Sequence, residues 1–158
     1  MSLSSHLIAV IADTHGLLRP EVIAALDGCE QILHAGDVGK AEILAELNKH
    51  APVTAVRGNV DTGEWAKALP ITALVEIAGQ PVLLLHKLFE LDFDPAQEGI
   101  RVVVSGHSHR SAVETRNGIL YLNPGSAGPR RFGLPVSVAH LRFLPGSVEP
   151  EIIELPVG

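Results

Sequence analysis

A chain of 158 residues, 46% of them hydrophobic, reads as one domain spanning residues 1–158, with room for one substantial core and too apolar to be disordered. Its longest apolar stretches, residues 7–12 and 81–85, fall well short of the roughly 20 residues a membrane-spanning helix requires, and no basic segment precedes the first, which argues against a secretory signal and for the cytoplasm. A formal net charge of −6 disfavours general nucleic-acid or anionic-membrane binding, and the single cysteine, Cys29, excludes a disulfide framework or a thiolate-rich zinc site.

In chain order, residues 6–12 form an apolar, strand-like run that ends in a polar tip. Residues 19–28 then read as a helix bracketed by Pro20 near its start and Gly28 past its end. A second run, residues 31–35, reaches Gly36-Asp37, and residues 40–49 place Ile43, Leu44 and Leu47 at helical spacing. Residues 53–56 make a third short strand ending at Gly58-Asn59, after which Asp61-Thr62-Gly63-Glu64 resembles a capping segment for a short helix to Leu69. This strand–helix alternation predicts a largely parallel sheet.

The rhythm then changes. Residues 73–78 and 81–85 are joined by Gly79-Gln80, and residues 112–116 meet 119–122 across Asn117-Gly118, so both junctions predict tight hairpin turns. Between them residues 101–105 suit a buried strand, and the tail, residues 135–143 with 150–155, predicts a further hairpin. Many strands with helices outside them predict two stacked sheets covered by helices.

The chemistry-bearing residues fall just past strand ends: Asp13-Thr14-His15, Asp37, Asn59, His86, and Gly106-His107-Ser108-His109. That rim is where ligands bind in open α/β sheets. One Asp or His at a strand end is usually a turn or capping residue, but five strand ends in succession carrying such groups make a coincidence hard to sustain. Carboxylates, imidazoles and an amide without thiolate suit Mn²⁺, Fe²⁺, Zn²⁺, Co²⁺ or Ni²⁺. The i, i+2 spacing of Asp13 and His15, and of His107 and His109, puts each pair on one face if the backbone stays extended.

The ordered set Asp13-x-His15, Gly36-Asp37, Gly58-Asn59, His86, Gly106-His107-x-His109 and Asn123-Pro124-Gly125-Ser126 resembles the calcineurin-like metallophosphoesterase superfamily, in its small bacterial and archaeal phosphodiesterase branch. The resemblance, covering residues 8–126, implies an α/β fold, a four-layer αββα sandwich of two mixed β-sheets flanked by helices. It assigns Asp13, His15 and His109 to one divalent ion and Asn59, His86 and His107 to another, with Asp37 bridging the two. The implied cofactors are two divalent metal ions, Mn²⁺ foremost, with Fe²⁺, Zn²⁺, Ni²⁺ or Co²⁺ as alternatives. Two ions sharing a carboxylate lower the pKa of a bridging water and make hydroxide available near neutral pH, which implies phosphodiester hydrolysis without a protein nucleophile.

Within that reading Asp37, Asn59 and His86 are the catalytic candidates, and Asn59, Lys87 and Arg130 those for binding a small phosphate-ester substrate. Ser126 lacks a base beside it in the sequence and is not expected to act as a nucleophile. Many members of the superfamily carry a histidine after Gly-Asn that assists the leaving group, where this chain has Val60; either acidic leaving groups are therefore favoured or a metal-bound water serves as the acid. The alternatives are a phosphomonoesterase or nucleotide phosphatase on the same site, or a non-catalytic scaffold of the retromer-subunit type. Self-association into a dimer or tetramer is compatible with the resemblance.

Overall fold

The computed structural model describes residues 5–157, and among them the chain forms two five-stranded mixed sheets. The first is built from β1 (His6–Ile11), β2 (Gln31–His34), β3 (Val53–Ala55), β9 (Ser137–Leu144) and β10 (Ser147–Glu154), in the order β10-β9-β1-β2-β3. The second contains β4 (Thr72–Ile77), β5 (Gln80–Leu85), β6 (Val102–Val104), β7 (Ala112–Arg116) and β8 (Ile119–Asn123), in the order β4-β5-β6-β8-β7.

The expectation of a largely parallel sheet needs correction. Parallel pairing is confined to β1-β2-β3 and β5-β6-β8, and antiparallel strands flank both sets. Strand–helix alternation governs only the first third of the chain, where β1, β2 and β3 do pair parallel; later, the hairpins β4–β5, β7–β8 and β9–β10 pair antiparallel, while β5, β6 and β8 reach parallel pairing through longer connections.

Alternation along each strand divides the core. Ile8 and Val10 of β1 face Val82 and Leu84 of β5 across the gap between the sheets, joined by Leu141 and Phe143 of β9. Ala9 and Ile11 point the other way, onto Val22 and Leu26 beside α1 (Pro20–Ala25) and Ile43 and Leu47 of α2 (Ala41–Asn48). The outer face of the second sheet is covered differently. Leu83, Leu85 and Val103 pack against Ile100, Leu88 and Leu91 of a segment whose one regular piece is a single 3-10 turn, Leu88–Glu90.

Local expectations shift in three places. The β4–β5 turn is Ala78-Gly79, not Gly79-Gln80: both residues take positive φ, 52° and 78°, as a two-residue turn matching the strand twist requires, and Gln80 pairs with Ile77. The last strand starts at Ser147, after a Pro145-Gly146 turn, and runs through Pro150, which an edge strand tolerates because its outer side has no ladder to complete. The helix expected after Asp61 is a 3-10 helix, Glu64–Ala68, with no side-chain cap, because the Asp61 carboxylate is engaged elsewhere. Among the described residues no helix is long and apolar enough to cross a membrane.

Candidate metal centre

The loops following β1, β2, β3, β5 and β6 meet at one end of the sandwich, as the rim argument requires. Their backbone is not extended. Asp13, His15, Asp37, His107 and His109 all have positive φ, between 48° and 76°, so the premise that an extended chain puts each i, i+2 pair on one face is corrected. Left-handed turns aim these side chains inward instead. Each such residue costs on the order of 1–3 kcal/mol and persists only where its surroundings hold it. Here the amides of Asp13, His15 and Gly16 donate to the carbonyls of Gly36, Asp37 and Val38 at 3.0, 2.9 and 2.8 Å, stitching the first two loops together. A Cβ at Gly58 would collide with the amide and carboxylate of Asp37, so only glycine lets the third loop close on the second.

The inward-facing atoms converge. Asp13 Oδ1 lies 3.8, 3.9 and 3.7 Å from the Nε2 atoms of His15, His86 and His109, and Asp37 Oδ2 lies 3.5 and 3.2 Å from those of His15 and His86. These form two overlapping donor sets, Asp13-His15-His109 and Asp13-Asp37-His86. Asp13 Oδ1, His15 Nε2 and His86 Nε2 are buried with no aligned hydrogen-bond partner. A buried polar atom left unpaired costs roughly 1–3 kcal/mol, and three pointing at one another are accounted for by a cation between them. His86 is already in the tautomer a ligand needs: its Nδ1–H donates to the Ala35 carbonyl at 2.7 Å, leaving Nε2 free to bind.

Burial dominates the electrostatics. It pushes the Asp13 carboxyl up to about 7 against the pull of His86, and pushes the His109 imidazole down to about 4, helped by His15 and Arg131. Asp37 goes the other way: burial would raise it, but close contact with His86 and the Val60 N–H, which donates to Oδ1 at 3.0 Å, hold it down at about 2. The hollow thus holds one firmly ionised carboxylate, Asp37, among imidazoles.

Asn59 and His107 stand on the rim, both exposed, with the His107 ring 5.3 Å from that of His86. Lys87 and Asn59 line one cleft together with Arg57 and Glu90. Arg130 is exposed and donates Nε–H to the Leu134 carbonyl at 3.3 Å; of the two adjacent arginines it is Arg131 whose charge reaches Asp13, His15 and His109. Ser126 is buried and donates to the Asp13 carbonyl at 3.2 Å, tying its loop to the first.

Three supports lie outside the candidate donor set. Asp61, 2% exposed, accepts the amides of Val38, Gly39 and Gly58, clamping the second loop to the third. Asn123 donates Nδ2–H to the Gly106 carbonyl and to Ser108 Oγ, at 3.0 and 3.1 Å, pinning the His107–His109 turn. The Gly36 amide donates to His34 Nδ1, so His34 Nε2–H donates to Thr14 Oγ1, whose own O–H donates to the Val38 carbonyl at 2.8 Å. The cap-like segment Asp61-Thr62-Gly63-Glu64 hides the first; Asn123 stands in the Asn123-Pro124-Gly125-Ser126 motif without its partners being visible there, and the place of His34 on the strand before Asp37 suggests a residue that orients a ligand but not its path through Thr14.

That chain requires a neutral His34, and burial drives its pKa down to about 3 from an ordinary 6.5. A folded pKa below the unfolded one stabilises the fold above pH 6.5 and loses that contribution as pH falls toward 3. Replacing His34 with glutamine is expected to flatten the acid limb of stability between those values by up to about 5 kcal/mol, read by urea unfolding across pH. An unchanged acid limb would show that His34 titrates normally.

Residues 7–144 match the family model for the calcineurin-like phosphoesterase superfamily domain. A probable metallophosphoesterase of Methanothermobacter thermautotrophicus is 36% identical, over 93% of this chain and 91% of that protein. Phosphodiesterase YfcE of Escherichia coli K12 is 32% identical, over 82% of this chain and 84% of its own. Among solved structures, vacuolar protein sorting 29 from Cryptosporidium parvum superposes with a TM-score of 0.76 at 21% identity, covering 95% of this chain and 97% of that one, a likeness of fold alone. On the family match and the identity along nearly its whole length, the chain belongs to the calcineurin-like phosphoesterase superfamily.

Proposed function

We propose that this protein is a metal-dependent phosphodiesterase that holds two divalent ions, Mn²⁺ foremost, in the hollow formed by Asp13, His15, Asp37, His86 and His109, completed at the rim by Asn59 and His107. The observation that carries the reading is the cluster of buried donor atoms, Asp13 Oδ1, His15 Nε2 and His86 Nε2, facing one another without partners. The ions supply an activated water and the charge that phosphoryl transfer demands. The chain's own residues do the rest: Asp37 stays ionised and spans toward both donor sets, His86 keeps its tautomer through Ala35, and Asn59, Lys87 and Arg131 offer donors to phosphoryl oxygens at the mouth.

Val60 brings an amide to Asp37 but no side chain able to give a proton to a departing alkoxide. Aryl esters are therefore the better substrates, and a complete donor set favours the hydrolase over a docking scaffold. The test is direct. Protein stripped with a chelator is expected to hydrolyse bis(p-nitrophenyl) phosphate at background rate, to recover with Mn²⁺, and to slow steeply as less acidic phenols replace nitrophenol. Full activity in the stripped protein would overturn the metal assignment; a rate indifferent to the phenol would overturn the role given to Val60.

A further inference from the structure

Because no α-helix covers the outer face of the second sheet among the described residues, the segment at 88–100 shields mainly β5 and β6. The β8–β7 end stays open, and a groove of about 280 Å³ runs from His107 down that face. Its walls are Leu88 and Phe89 on one side and Tyr121 and Arg116 on the other, with Arg110 beside the mouth. The Arg116 guanidinium stacks 4.3 Å over the Tyr121 ring and pairs with the Glu114 carboxylate at 3.3 Å, which holds that wall in place. Phe89 is 75% exposed, yet it is not adrift: its ring sits edge-on, 5.9 Å from that of His107. An aromatic side chain left this open at the mouth of a reactive centre forfeits burial that a ligand ring would restore.

We infer that this groove is the subsite for a planar aromatic or heteroaromatic arm of the substrate, with Phe89 and Tyr121 as its walls. The inference rests on the phosphoesterase reading for what occupies the centre, and adds which esters the protein prefers. Continuity decides the occupant. The groove opens at His107, so an ester whose phosphoryl group sits among the donor atoms has one substituent directed along it, and a ring there meets the aromatic side chains of Phe89 and Tyr121.

Phenylphosphonate and ethylphosphonate test this without turnover, since neither has an ester bond to cleave. By titration calorimetry on Mn²⁺-loaded protein, phenylphosphonate is expected to bind roughly five- to tenfold more tightly than ethylphosphonate. In Phe89→Ala that preference should shrink to within about twofold, with affinity for ethylphosphonate and bound manganese unchanged. Equal affinities in the native chain, or a preference surviving in the variant, overturn the subsite. So does a variant whose preference is intact but whose state of association changes in sedimentation, since Phe89 would then belong to an interface between copies. A chain that takes up no manganese and binds neither phosphonate refutes the phosphoesterase reading itself, a failure distinct from loss of selectivity alone.

Discussion

Asp37→Asn is expected to abolish stoichiometric metal binding and to lower phosphodiesterase activity by at least about a hundredfold while leaving the metal-free fold intact. This carboxylate has two jobs. One oxygen, Oδ1, accepts the Val60 amide at 3.0 Å, and an asparagine carbonyl takes over that bond. The other, Oδ2, faces His15 and His86 at 3.5 and 3.2 Å and carries the charge a cation needs. An amide nitrogen there removes the charge and directs N–H bonds at groups that should be donating lone pairs. The check is a pair of thermal melts with and without Mn²⁺. Native protein should gain stability with ion concentration by mass action; the variant should melt near the native chain when stripped and gain little when the ion is added. Native-like metal content and turnover in Asp37→Asn would remove this residue from the centre.

Asp61→Ala is expected to destabilise the protein by about 3 kcal/mol, lowering the melting temperature by roughly 6–12 °C, although Asp61 is not among the candidate ligands. Three amides, from Val38, Gly39 and Gly58, lose their acceptor at 3.2, 2.9 and 2.9 Å, in a place too enclosed for bulk water to replace it fully. Because those amides belong to the loops that carry Asp37 and Asn59, the same change is expected to weaken metal binding. Asp61→Asn keeps one acceptor oxygen and should recover about half of the lost stability. Urea unfolding in chelator separates the structural effect from the metal effect. Alanine stability matching the native chain would mean the clamp contributes nothing.

These two residues illustrate how far the chain could be read in advance. Asp37 stands out because it follows a strand and a glycine, in register with four other strand ends, so its candidacy is visible in one dimension. Asp61 also stands in plain view, but its three partners lie up to 23 residues away, and its local surroundings suggest a helix cap. Arg130 and Arg131 are equivalent as letters; the turn that follows ties Arg130 to Leu134 and leaves Arg131 as the charge sensed by Asp13, His15 and His109.

By itself the amino-acid order determined the strand succession, the placement of donor side chains at strand ends and the superfamily, because each is carried by local periodicity and by which residue type stands where. Only the tertiary structure decided how the donors meet. The left-handed turns at Asp13, His15, Asp37, His107 and His109, the amides gathered by Asp61, and the uncovered flank beside Phe89 depend on loop torsions and on contacts between segments remote in the chain. Hydrophobic period reports which face of a strand is buried; it carries no information on the direction a loop takes once the strand has ended.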